Sequence, residues 1–137
     1  MPKVDSSYTL STTTELGFDE AVGRVREELA ADGFGVLCEI DVRATLKAKL
    51  GVEREPYLIL GACNPLLAHG ALELEPELGV LLPCNVVVYR AEGSTHIAAV
   101  DAERMLSIVG NDELAETAAQ VRRRLSDVVS RAARASS

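Results

Sequence analysis

The stretch GACNPLLAHGALELEPELGVLLPCNV, residues 61 to 86, contains residue types that could act together in chemistry. Two Cys-Asn pairs, Cys63-Asn64 and Cys84-Asn85, flank a histidine, His69. Thiolates and imidazoles are nucleophiles and zinc ligands, and asparagine amides supply hydrogen bonds to a bound molecule. We therefore take these five residues as candidate ligand-binding residues.

The spacing of Cys63 and His69 disfavours a metal site within one chain. Tetrahedral zinc ligands lie about 3.5 Å apart, whereas six residues of helix rise about 9 Å. The apolar face of this helix is predicted to consist of Leu67, Ala71 and Leu74. His69 and Glu73 project almost opposite that face, so we expect His69 outside the core of its own chain, at a subunit interface or in solvent. No metal ligand is assigned.

Cys63 directly precedes a predicted helix start, where the helix dipole stabilises a thiolate. Its preceding neighbours are apolar, and burial would instead raise the pKa of the thiol. Reactive and inert roles therefore both stay open. The reactive alternative is thiol-redox or metal-dependent chemistry through Cys63, with Cys84 or His69 supplied by a returning strand or a second subunit. In that alternative Cys63 is alkylated quickly while Cys38 stays protected in its strand.

Hydrophobic periodicity, together with the residues that typically begin or end helices and turns, predicts the helices and strands that position these residues. Asn64 followed by Pro65 is typical of a helix start, Pro76 ends that helix, and Glu92-Gly93 predicts a hairpin turn. Another helix start is indicated at Asp101. Strands are predicted over 6–14, 34–42, 56–63, 84–90 and 95–100, and helices from Phe18 to Gly33, over 43–51, over 64–75 and from about 112 onward.

The predicted order β-α-β-α-β-α-β-β-α indicates an α+β fold. We expect one domain over residues 1–137, with an ordered core at about 6–134 and a single curved sheet of about five strands on which amphipathic helices pack. Alternation in the second strand gives Phe34, Val36, Cys38 and Ile40 one parity, so Cys38 is predicted to lie with the apolar set.

Composition and charge disfavour several classes of partner. The 137 residues carry a net charge of −7, which disfavours nucleic acid and anionic membranes as partners. The amino terminus lacks the apolar segment of a signal peptide, and no apolar run is long enough to span a membrane. Three cysteines without an export signal favour reduced thiols, and we expect a cytoplasmic protein. Arginines cluster near the carboxyl end, where they would complement the dipole of the last helix.

A resemblance to a known family is carried by the terminal amphipathic helix and by three segments, EIDVRATLKAKLG, YLILGACNPLLAH and EPELGVLLPCNVVVY. These features resemble the bacterial and archaeal family of domain of unknown function 302. The resemblance extends from about Tyr8 to Val129. It implies a small α+β domain with a curved sheet and association into homodimers, and it supplies no established catalytic residue. The positions carried over from its motifs are Cys63, Asn64, Pro65, His69, Glu75, Pro83, Cys84 and Asn85.

These observations favour a homodimeric binding or regulatory domain that holds a small ligand near the ACNP turn and the LLPCN strand start. A helix amino terminus at this place is able to bind an anion. The sequence contains no GxGxxG, P-loop or GxSxG motif, so neither a cofactor nor a reaction is assigned. A bare interaction module without a ligand stays open beside this hypothesis.

Overall fold

The computed structural model describes residues 7–134, and residue 6 of the predicted first strand lies outside the described residues. The strands are β1 (Thr9–Thr14), β2 (Gly35–Asp41), β3 (Tyr57–Cys63), β4 (Cys84–Ala91) and β5 (Ser94–Val100). The helices are α1 (Phe18–Ala31), α2 (Val42–Leu50), α3 (Pro65–Leu74), α4 (Ala102–Ser107) and α5 (Ala115–Ala132). Short 3₁₀ turns at Pro76–Leu81 and Asp112–Leu114 complete the chain. The predicted order of helices and strands is confirmed. The helix start indicated at Asp101 is that of α4.

The five strands form one sheet in the order β1-β5-β4-β3-β2, and every neighbouring pair is antiparallel. The β4–β5 hairpin turns at Glu92 and Gly93, which have φ angles of 52° and 78°. Two successive positive φ angles suit the right-handed twist of paired strands, as in a type I′ turn. The predicted hairpin and the α+β fold class are therefore confirmed.

Helices α1 and α5 pack on one face of this sheet. Strand alternation turns Leu60, Val86 and Ile97 toward them, and all three side chains are fully buried. Leu29 of α1 and Leu125 of α5 are fully buried in the same cluster. Burying such side chains contributes roughly 1.5–3 kcal/mol each, which makes this layer the main source of stability.

A β-bulge in β2 reverses the alternation on which the position of Cys38 was predicted. Val36 pairs with Ala62, but Cys38 pairs with Gly61, so Leu37 is an extra residue between them. Cys38 and Ile40 therefore face away from α1, whereas Glu39 between them turns toward it and binds Arg26 at 2.6 Å. Cys38 is exposed and Ile40 is 46% exposed. The prediction that Cys38 lies with the apolar core is wrong.

The arginines near the carboxyl end form ion pairs between elements as well as lying near a helix end. In α5, Arg131 binds Glu28 at 2.6 Å and Asp32 at 2.8 Å, both at the end of α1. Arg122 binds Asp101, the residue that caps α4, at 3.1 Å. These arginines therefore join α5 to its neighbouring helices.

Candidate functional site

Asn64 has a structural role at the start of α3. Its Oδ1 accepts a hydrogen bond from the backbone N–H of Leu67 at 3.2 Å, and Pro65 occupies the first helical turn. Side-chain capping satisfies an amide that has no partner within the helix. The helix start predicted at Asn64-Pro65 is confirmed.

The antiparallel pairing of β3 and β4 brings Cys63 and Cys84 to the same end of the sheet. Ala62 is the direct partner of Cys84, so Cys63 lies one residue beyond it on the neighbouring strand. Both cysteines line an apolar cavity of about 40 Å³ beneath α3. A cavity of this size holds no more than a few water-sized probes, so a larger ligand requires α3 to move.

The two thiols differ in burial. Cys84 is buried, and desolvation, with a smaller contribution from the nearby Cys63, raises the pKa of its thiol to about 11. Cys84 is therefore a neutral thiol at physiological pH, when it is a poor nucleophile. Cys63 is half-buried. Thiol chemistry through Cys63 stays a prediction.

His69 lies on the exposed side of α3, as its helical position predicted. Only Ala71 of the predicted apolar face is buried, and Leu74 is 38% exposed. Within residues 7–134, no three His, Cys, Asp or Glu side chains are placed to share a metal ion. His69 therefore lies apart from Cys63 and Cys84 and does not form a metal site with them.

Asn85 lies on the other face of the sheet. It pairs with Gly61, and strand alternation turns it away from Cys84 and from the helices. The candidate residues thus divide into three places: the cavity beneath α3 with Cys63, Asn64 and Cys84, the outer surface of α3 with His69, and the sheet face with Asn85.

We call the sheet face turned away from α1 and α5 the open face. The strand residues that register places on this face are Thr9, Ser11, Thr13, Gly35, Cys38, Ile40, Tyr57, Ile59, Gly61, Asn85, Val87, Tyr89, Ala91, Ser94, His96, Ala98 and Val100. None of these strand residues is Asp, Glu, Lys or Arg, although such residues make up 26% of the chain. An uncharged surface of this kind is typical of a contact face rather than of a solvated one.

An aromatic ladder crosses the open face at one end. The ring centroids of Tyr57 and Tyr89 lie 5.1 Å apart, and those of Tyr89 and His96 lie 4.7 Å apart, with nearly parallel planes. Arg54 stands over the Tyr57 ring at 5.0 Å from its centroid. His96 is 5% exposed, and its Nε2 lies 3.3 Å from the carbonyl oxygen of Ala91.

This ladder was not predicted from the sequence. A signal was present, because counting outward from the Glu92-Gly93 turn pairs Tyr89 with His96 directly. The place of Tyr57 beside Tyr89 depends instead on the register of β3 with β4. That register involves strands separated by α3 and a 3₁₀ turn, so local patterns do not fix it.

Beside the ladder, the open face contains a groove of about 540 Å³. The groove is lined by Tyr8, Thr9, Ser11, Tyr57, Asn85, Val87, Tyr89, Ala98, Ala99 and Val100. The chain has three tyrosines and no tryptophan, and all three tyrosines line this groove. Asn85 is the one candidate residue from the sequence that contributes to its wall.

A single open antiparallel sheet with its large helices on one face defines an α+β protein. The chain belongs to the DUF302 family, described as a domain of unknown function, whose model matches residues 10–132. It is similar to an uncharacterised conserved DUF302 protein from Bacillus stearothermophilus of known crystal structure, with a TM-score of 0.87 and 31% identity. That match covers 94% of this chain and 100% of the Bacillus chain.

No curated protein matches the chain. Among residues 7–134, no helix combines the length and the apolar character needed to cross a membrane.

Proposed function

We propose that this protein is a homodimeric interaction domain in which the open faces of two copies pack against each other. The observation that carries the proposal is the uncharged open face described above. Each copy has a net charge of −7, so two copies approach most favourably through a surface that carries no acidic side chain. Face-to-face packing of two sheets about 10 Å apart is a common arrangement.

The aliphatic side chains at the centre of the open face support this mode of association. Val87 and Ile59 are direct neighbours across β4 and β3, and Ile40 continues the same row on β2. A two-fold axis would bring such a row onto the same surface of the second copy, which is the self-complementary geometry of a symmetric dimer.

The three free cysteines support a location in the reducing cytoplasm.

Sedimentation velocity of wild-type protein and two charge variants tests the proposal. Val87→Asp places a carboxylate at the centre of the open face, and Leu66→Asp makes the same change on α3, where Leu66 is 80% exposed. We expect wild type and Leu66→Asp to sediment as dimers at micromolar concentration, and Val87→Asp to sediment as a folded monomer by circular dichroism. Because dimer formation is favoured by a higher protomer concentration, a wild type that is still monomeric at about 100 μM would contradict the proposal.

A second candidate function is the binding of a small apolar ligand beneath α3, near the ACNP and LLPCN motifs. It is favoured by the position of Cys63, Asn64 and Cys84 around one apolar cavity. Only one residue of α3, Ala71, is buried, so little packing opposes a displacement of the helix. Indole should then raise the melting temperature of the wild type but not of Leu67→Phe, in which the larger ring fills the cavity. Equal shifts in both proteins would exclude this site.

A further inference from the structure

We propose that the groove on the open face binds an uncharged, planar aromatic molecule of two or three fused rings that bears hydrogen-bond acceptors. The inference deepens the proposed function, and it rests on that function in one respect, since the second copy would close the groove over its ligand. The lining itself comes from a single chain. Binding and dimer formation can therefore be measured separately.

The shape of the groove follows from the size of the side chains on its floor. Ser11, Ala98 and Val87 are direct neighbours across β1, β5 and β4, and the small middle residue leaves a hollow between the strands. The rings of Tyr57 and Tyr89 form one wall. The volume of about 540 Å³ lies within the range of small-molecule sites, roughly 300–1,000 Å³.

The charge of the lining selects an uncharged ligand. No Asp, Glu, Lys or Arg contributes to the groove among the described residues. A charged ligand would lose its hydration here without gaining an ionic partner, which costs several kcal/mol in general. The acidic chain adds a repulsive field for anions in particular.

The ladder determines which parts of Tyr57 and Tyr89 remain for a ligand. Tyr89 is stacked between Tyr57 and His96, and the outer face of Tyr57 is covered by Arg54. Ring edges and hydroxyl groups therefore line the groove. Aromatic edges are electropositive and pack favourably against the electron-rich face of another ring, in a T-shaped contact.

Hydrogen-bond donors in the groove would recognise acceptor atoms on the ligand. Tyr57 and Tyr89 with their phenolic O–H groups, Thr9 and Ser11 with their hydroxyls, and Asn85 with its amide all belong to the lining. Each of these groups is able to donate to a carbonyl or ether oxygen. A flat aromatic carbonyl compound matches both the ring edges and the donors.

Titration calorimetry with coumarin tests the inference, because coumarin is uncharged, has two fused rings and bears a lactone carbonyl. Its matched control is coumarin-3-carboxylate, which adds one negative charge to the same rings. We expect coumarin to bind saturably and at least tenfold more tightly than the carboxylate. Tyrosine emission should change on binding, because all three tyrosines of this tryptophan-free chain line the groove.

Two groove variants and one surface variant locate the binding. Ala98→Leu fills the floor, and Tyr89→Phe keeps the ladder but removes a donor. We expect at least a tenfold loss of coumarin affinity in the first, a threefold or larger loss in the second, and none in Leu66→Ala on α3.

Three results would overturn the inference: no saturable coumarin binding to wild type, equal affinity for the carboxylate, or unchanged affinity in both folded groove variants. If Ala98→Leu does not fold, Tyr89→Phe alone decides. A wild-type monomer that binds coumarin would contradict the dimer but support the groove. A wild-type dimer that fails to bind it would contradict the groove only.

Discussion

Cys38 lies directly opposite Gly61 on the neighbouring strand, and its Sγ occupies the space in which a side chain at position 61 would begin. A Cβ built on Gly61 would stand 2.6 Å from that Sγ and 2.8 Å from Cγ of Pro83. Both separations are shorter than a Cβ atom tolerates from a neighbouring sulfur or carbon atom in packed proteins. The absence of a side chain at position 61 is therefore what lets β2, β3 and the start of β4 approach at this corner.

Gly61→Ala should accordingly destabilise the protein by about 1–3 kcal/mol, the usual cost of an inserted methyl group in a packed site. Cys38→Ala in the same chain removes one of the two clashes but not the one with Pro83. We expect the double variant to recover part of the loss in urea denaturation. Additive effects of the two changes would show that the contact between positions 38 and 61 is unimportant.

The sequence predicted the elements that depend on local chemistry. Asn64-Pro65 marks a helix start because the asparagine accepts an amide hydrogen bond and proline has no amide to lose. Glu92-Gly93 marks a turn because both residues adopt positive φ, a conformation common for glycine. Signals of this kind act over a few residues and need no knowledge of the rest of the chain.

Features that depend on pairing between distant segments were not predictable in the same way. The bulge at Leu37 involves neither glycine nor proline, and it decides on which face Cys38 and Ile40 lie. The groove requires β1 beside β5, strands separated by most of the chain. Asn85 was a candidate for the same ligand site as Cys84, but alternation sends successive strand residues to opposite faces.

The three cysteines should react with iodoacetamide in the order of their exposure. Cys38 is exposed, Cys63 is half-buried and Cys84 is buried with a raised pKa. Because alkylation requires an accessible thiolate, we expect Cys38 to be labelled first and Cys84 last, as followed by peptide mass spectrometry at pH 7.5. Labelling of Cys63 ahead of Cys38 would instead favour the thiol-redox alternative.

The pKa of Cys84 makes stability depend on alkaline pH. The unfolded thiol ionises near pH 9, whereas burial raises the folded pKa to about 11. Between these values the unfolded chain releases the proton and the folded chain keeps it, so rising pH favours unfolding. The stabilisation is complete below about pH 9 and lost by about pH 11, with a magnitude on the order of 2–3 kcal/mol.

Cys84→Ala provides the comparison for this effect, because other groups titrate in the same range. The free energy of unfolding should fall less steeply between pH 9 and 11 in the variant than in the wild type. Equal slopes in urea denaturation would show that Cys84 ionises as readily in the folded chain as in the unfolded one.

The cap at Asn64 should contribute to stability and not only to helix geometry. Asn64→Ala removes the acceptor of the Leu67 amide, which we expect to cost about 1 kcal/mol. Asn64→Asp keeps a side-chain acceptor at the same place and should retain most of the stability. Thermal denaturation of the two variants distinguishes this capping role from a role in ligand binding, which would alter the response to indole without changing stability.

Arg131 joins the ends of α1 and α5 through Glu28 and Asp32, at 2.6 and 2.8 Å. The Arg131 side chain is 37% exposed and those of Glu28 and Asp32 are each 19% exposed, so water screens the network only in part. We expect Arg131→Met to lower the free energy of unfolding by about 1 kcal/mol in low salt, and by less in 1 M NaCl.

Arg123→Met, on the exposed side of the same helix, removes an equal charge and should change stability by less than about 0.5 kcal/mol. Urea denaturation of the two variants at both salt concentrations checks the prediction. Equal losses in the two variants would mean that the net charge of α5 matters and the contacts with α1 do not.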